Sequence, residues 1–126
     1  MSKSVILTTK APQAVGPYSQ AVASGPLLFT SGQLPLDPET GTMPQGDIQV
    51  RAEQCLRNLQ SIAEAGGTSL DRAVKVTVFL TNMADFQDVN KVYAQFFKEP
   101  FPARTALQVA ALPLGADIEI EAVFER

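Results

Sequence analysis

The sequence predicts an α+β fold, a mixed six-stranded sheet with two helices packed on one face. Three observations carry that prediction. Apolar residues recur with the one-sided helical period in two stretches, Ile48 to Ala63 and Phe86 to Phe97. Six shorter stretches alternate or run apolar over four to eight residues, as strands do. All nine prolines fall between those stretches or at their ends. With 126 residues the chain has the length of one domain, residues 1–126.

The elements follow in order. Val5 to Thr8 is the first strand, and Ala11 to Pro17 is a loop of turn formers. Tyr18 to Ala23 and Leu27 to Ser31 flank Gly25-Pro26 and form a hairpin. Gly32 to Gly46 has no periodicity, and a loop of that length in a compact domain carries function or covers something. Asp47 is the N-cap of the first helix, and Gly66-Gly67 closes it. Val74 to Leu80 alternates, with Val74, Val76, Val78 and Leu80 on one face and Lys75, Thr77 and Phe79 on the other. The second helix begins near Asn82, turns Phe86, Val89, Val92, Tyr93, Phe96 and Phe97 inward, and stops before Pro100. Arg104 to Val109, after an extended lead-in at Pro102-Ala103, and Asp117 to Phe124 are the last two strands.

The helices connect the third, fourth and fifth strands, and right-handed crossovers make those three parallel. With both helices on one face, Leu27, Phe29, Phe79 and Val123 point to the other. A second copy of the chain is the simplest cover for them.

Composition excludes several function classes. With 45% hydrophobic and 18% charged residues, the chain belongs with globular proteins and not with disordered ones. No apolar run nears the ~20 residues that cross a bilayer, and the N-terminus lacks a signal-peptide pattern. A cytoplasmic protein with no membrane partner is expected. The formal charge of −3, with scattered lysines and arginines, argues against a nucleic-acid partner. The chain has no histidine and one cysteine, Cys55. Zinc sites, histidine-activated nucleophiles and internal disulfides are therefore beyond it. No carboxylate cluster suggests another metal, and Cys55 reads as a small buried helix residue.

Two charged residues in the last quarter stand out. Arg104 shares a strand face with Ala106, Gln108 and Ala110, small or polar neighbours among which a ligand fits. It reads either as a surface or ion-paired arginine, or as a fork for a carboxylate. Glu119 and Glu121 share a face opposite Ile118, Ile120, Ala122 and Phe124. They read either as a solvated face or as a buried acid able to move protons. If their strands run antiparallel, Arg104 and Glu119 lie at opposite ends of the sheet, about six residues or on the order of 20 Å apart. No metabolite spans that distance, so a joint site needs two chains. Tyr18 and Ser31-Gly32-Gln33 lie at strand ends, where they serve packing and turning or line a site, and Gly32 allows close backbone approach there. Asn90 lies among apolar helix neighbours, as a surface residue or a ligand contact.

These residues form a series: Gly16-Pro17-Tyr18-Ser19-Gln20-Ala21, Phe29-Thr30-Ser31-Gly32-Gln33-Leu34-Pro35, Val76 to Leu80, Val89-Asn90-Lys91-Val92-Tyr93, Pro102-Ala103-Arg104 and Ile118-Glu119-Ile120-Glu121. In order and over nearly the whole chain it resembles the RidA/YjgF (L-PSP) family of reactive-intermediate imine deaminases. The resemblance implies a chorismate-mutase-like fold and a homotrimer with clefts between subunits. It implies hydrolytic deamination of reactive 2-imino and 2-enamino acids, released by pyridoxal-phosphate enzymes, to 2-oxo acids and ammonia, with no cofactor.

By motif, Arg104 matches the arginine that grips the substrate carboxylate. Glu119 matches the acid that positions the attacking water. Tyr18, Ser31 and Gly32 match cleft residues, and Asn90 matches a motif asparagine. Many members carry a cysteine two residues after the arginine. Here that residue is Ala106, which leaves a backbone N–H for the ligand and removes thiol chemistry there. The alternatives are an endoribonuclease or translation inhibitor, and a non-catalytic metabolite-binding or chaperone-like module.

Overall fold

The computed structural model describes residues 2–126. Its main elements are β1 (Ser4–Ile6), β2 (Ala21–Ser24), β3 (Leu27–Thr30), α1 (Ile48–Ala65), β4 (Ala73–Leu80), α2 (Phe86–Phe96), β5 (Ala103–Gln108) and β6 (Ile118–Glu125). The six strands form one sheet in the order β1-β2-β3-β6-β4-β5. β6 runs antiparallel to both β3 and β4, and β5 runs parallel to β4. The third, fourth and fifth strands are thus parallel, as the two helical crossovers predict. The last strand enters between β3 and β4 and separates them.

Both helices cover one face. Asp47 caps α1 through Oδ1, which accepts the N–H groups of Gln49 at 3.0 Å and Val50 at 3.3 Å. At the other end the Gly66 N–H returns to the carbonyls of Ile62 and Ala63. The apolar stripe of α1, including Leu56, Leu59 and Ile62, shares a core with Leu28, Val76, Val78, Ile118, Ile120 and Phe124 of the sheet. Each such side chain contributes about 1.5–3 kcal/mol on burial. Cys55 is fully buried in that stripe, and burial pushes its thiol pKa up, so it is an inert packing residue.

Two polar pins fix the loops around this core. Arg51 in α1 holds Asp117 by Nε and Nη2, at 2.9 and 2.7 Å, and donates Nη1 to the Gly46 carbonyl at 2.6 Å. Buried Asn58 donates to the carbonyls of Leu34 and Leu36 at 3.2 and 2.9 Å. The long loop after β3 is thereby clamped to α1.

Several boundaries differ from expectation, each for a local reason. The first strand is Ser4–Ile6 instead of Val5 to Thr8, because Thr8 bonds to the Gln20 side chain, at 2.8 and 3.0 Å. That same amide donates to the carbonyls of Ala11 and Pro12. Gln20 is buried by this clamp, and β2 starts only after it, not at Tyr18. In β4 the pairing jumps from Ala73 opposite Phe124 to Lys75 opposite Val123. Val74 is left out of register and is 42% exposed, while Ala73 takes the buried place. Asn82 caps a single 3-10 turn, Met83–Asp85, by accepting the Ala84 N–H at 2.9 Å, and α2 proper starts at Phe86.

The face without helices presents Leu27, Phe29, Phe79 and Val123, as expected from their alternation, together with Leu107 on the edge strand. Phe29 is 41% exposed there. Among the described residues no helix is long and apolar enough to cross a membrane.

Candidate functional site

The acidic side of the site is built where β3 ends. The chain leaves the sheet after Thr30 and returns at Gln33, whose N–H and carbonyl pair with Ile120 at 2.8 and 3.1 Å. Gly32 is carried past Glu119 by that detour. A Cβ on Gly32 would land on the Glu119 carboxylate, so only glycine allows this approach. Ser31 fixes the detour, donating Oγ to the Ser19 carbonyl at 2.6 Å and its N–H to the Gln20 carbonyl at 2.9 Å. The Tyr18 phenol oxygen accepts the Val15 N–H at 3.3 Å. Tyr18, Ser31, Gly32 and Glu119 line one cavity of about 450 Å³, with Leu34, Leu36 and Leu114 among its apolar walls. Partial burial holds the Glu119 carboxyl above its ordinary pKa, and the nearby Glu121 charge adds to the shift.

The cationic side is built on the other face of the sheet. Arg104 pairs with Val76 in β5, so its side chain leaves toward α2. Phe86, Asn90 and Tyr93 lie four and three residues apart on that helix and form one stripe. The guanidinium lies over the Tyr93 ring at 4.7 Å and the Phe86 ring at 5.2 Å. Its Nη1 donates to Asn90 Oδ1 at 2.7 Å. Asn90 is thus a partner of Arg104 and not merely a helix-surface residue. Among the described residues no carboxylate pairs with Arg104. The fork is oriented by aromatic faces and one amide, and most of its N–H groups are unused. Arg104, Asn90 and Tyr93 line a second cavity, of about 440 Å³. Tyr93 is only 7% exposed, and its hydroxyl has no hydrogen-bond partner among the described residues. Burial pushes that phenol's pKa up, against the opposing charge of Arg104. Ala106 follows two places along β5, half-buried, on the same sheet face as Arg104.

The expected residues therefore gather in two groups, not one. β5 and β6 are antiparallel but not neighbours, because β4 lies between them. Arg104 pairs with Val76 and Glu119 with Phe79, three positions along β4. At ~3.3 Å per residue and ~4.8 Å per strand their Cα atoms are roughly 14 Å apart, not 20 Å. Their side chains also leave opposite faces of the sheet. Within one protomer the two groups line separate cavities. The seat of Arg104 on Phe86 and Tyr93 was not legible, since both residues satisfy the helical core pattern. Gln20 was missed too, although a glutamine among alternating apolar residues is a usable signal.

The Endoribonuclease L-PSP family model matches residues 8–125 of this chain. The chain belongs to the L-PSP family, also called RidA/YjgF. This L-PSP chain is 58% identical to the RutC family protein y4sK of Sinorhizobium fredii over 119 residues, 94% of each chain. It is 50% identical to the human 2-iminobutanoate/2-iminopropanoate deaminase over 119 residues, 94% of this chain and 87% of the human one. The crystal structure of RidA from an Antarctic Psychrobacter superposes with a TM-score of 0.94 at 47% identity, covering 98% of this L-PSP chain and 99% of that one.

Proposed function

We propose that this L-PSP protein hydrolyses 2-imino acids, and their enamine tautomers, to 2-oxo acids and ammonia in clefts between the subunits of a homotrimer. One observation carries the reading: Arg104 is a pre-oriented guanidinium with no acidic partner among the described residues, on the opposite sheet face from a partly buried glutamate. The uncovered apolar face supports assembly, and a neighbouring protomer can bring its acidic half-site to the cationic one. The human relative's name supports the reaction class. The reading includes a cytoplasmic location and a single domain, residues 1–126.

The chemistry suits these groups. Arg104 takes the substrate carboxylate as a bidentate pair and fixes the imine carbon. Tyr18, Ser31, Gly32 and the Ala106 backbone shape the rest of the cleft. A protonated imine is already electrophilic, so water needs only orientation and a proton acceptor. The Glu119 carboxylate accepts a proton as the water oxygen bonds to the imine carbon. It returns that proton to the nitrogen, and as the C–N bond breaks it takes the remaining hydroxyl proton of the adduct. The water oxygen becomes the 2-oxo group, and the nitrogen leaves as ammonia.

The direct test couples the protein to a pyridoxal-phosphate dehydratase acting on threonine. Release of 2-oxobutanoate and ammonia should rise well above the uncatalysed rate, and an unchanged rate overturns the reading. Sedimentation should give the mass of three chains, whereas a monomer removes the shared cleft. Gly32→Ala should cut turnover by about a hundredfold with carboxylate binding largely kept, because it displaces Glu119 and leaves Arg104 alone. Titration with 2-oxobutanoate beside the rate assay checks that split.

A further inference from the structure

The loop before β6 holds one residue against its backbone preference. Leu114 has φ 59° and ψ 21°, in the left-handed region that a leucine Cβ disfavours and that Gly, Asn and Asp tolerate. Gly115 beside it takes φ 70° without that cost. Nor does burial compensate Leu114, which is 69% exposed. Glycine or asparagine would make the same turn with no large apolar side chain in water. Strain and exposure fall together on one residue, and neither supports the fold of the chain.

What Leu114 does is line the Glu119 cavity. Val15, Leu34, Leu36 and Pro113 line it too, and among the described residues Glu119 is the one charged residue that lines it. The side chain of a bound imino acid therefore meets hydrocarbon, and no cation is there to receive a second carboxylate. Asn58 and the Gln20 clamp hold the neighbouring walls from behind. Leu114 is the exposed, backbone-strained part of the same wall.

We propose that Leu114 is a specificity-determining residue. It completes the apolar wall of the Glu119 cavity and favours 2-imino acids with a branched apolar side chain over those carrying a methyl group. This rests on the reading that the imine carbon is held beside Glu119. Each methylene group buried against such a wall is worth roughly a fourfold gain in binding. Losing one wall residue should then cost an isobutyl side chain about five- to tenfold and a methyl side chain almost nothing.

The test is Leu114→Asn, which keeps the left-handed turn and removes the hydrocarbon. Calorimetry with two 2-oxo acids, 4-methyl-2-oxopentanoate and pyruvate, reads the wall without turnover. The wild type should prefer the larger acid. In L114N that preference should fall about five- to tenfold, with pyruvate binding within twofold of wild type. The Tm should stay level or rise by roughly 1–4 °C, because strain is relieved. Leu114→Met should restore the preference.

An unchanged ratio in L114N overturns the proposal, as does a wild type that shows no preference or binds neither acid. A lower Tm or a changed assembly mass also overturns it, by assigning Leu114 to packing or to a subunit contact. If the wild type binds both acids but hydrolyses no imine, the deaminase reading fails by itself. The affinity ratio then still decides the role of Leu114.

Discussion

Arg104→Ala is expected to abolish imine clearance, lowering kcat/KM by about a thousandfold. A bidentate guanidinium–carboxylate pair supplies both affinity and orientation, and here nothing else can replace it. Among the described residues the other cavity has no cation in its lining, and Asn90 offers only an amide once its partner is gone. Arg104→Lys should recover little, since an ammonium neither forks onto a carboxylate nor stacks flat on Tyr93 and Phe86. Stability should change by less than about 1 kcal/mol, because the guanidinium is exposed and its aromatic stack is its main contact. Circular dichroism melts and sedimentation check that the fold and assembly survive.

A mixing experiment then asks where the site is. Arg104→Ala and Glu119→Gln chains, each inactive alone, are unfolded together and refolded as a mixture. If each cleft takes Arg104 from one protomer and Glu119 from its neighbour, about one cleft in four regains both groups. Recovered activity near a quarter of wild type supports the shared site. No recovery would falsify it, even if the deaminase activity itself is real.

Much of this arrangement was legible because it rests on periodicity. The Ile-Glu-Ile-Glu run puts Glu119 opposite Ile118 and Ile120 whatever strand lies beside it, and the structure keeps that alternation. The α1 stripe and its Asp47 cap are likewise local. What was not legible depends on partners distant in sequence. Strand order is one such feature, since nothing local in Ile118–Glu125 says that it pairs between β3 and β4. Register is another: the 20 Å separation assumed a six-residue offset, and pairing along β4 makes it three.

The seat of Arg104 is another such feature. Helical spacing marks Phe86 and Tyr93 as inward, but not that β5 is an edge strand, where an inward face becomes the floor of an open cavity. The bulge at Val74 and the positive φ of Leu114 are decided by backbone geometry that those side chains do not signal. Gly32 was different. It was readable as a place of close approach, and the structure supplies the approaching group, Glu119.

Glu119→Gln should give the second large effect, a loss in kcat of about 10²- to 10⁴-fold with carboxylate affinity nearly unchanged. Gln can hold a water but cannot take its proton. The pH dependence follows from the direction of the shift. Burial first, and Glu121 second, raise the Glu119 pKa above the ordinary 4.5. A base must be ionised, so activity should climb with pH through that raised value. Glu121→Gln removes the second cause and should move the acid limb to lower pH.

The same shift has a stability sign. A carboxyl whose pKa is raised on folding contributes stability below its unfolded pKa, and that contribution is lost as pH rises through the folded one. Gln never ionises. In the absence of a nearby cation, E119Q should therefore raise Tm near pH 8 and leave it unchanged near pH 4. A neighbour's Arg104 in a shared cleft would oppose the shift and shrink that gain. Near pH 8 the gain from Glu119→Gln should thus be larger in an Arg104→Ala background than in wild type. Simple additivity of the two substitutions at that pH would place the two charges in separate surroundings and remove the shared cleft from the mechanism.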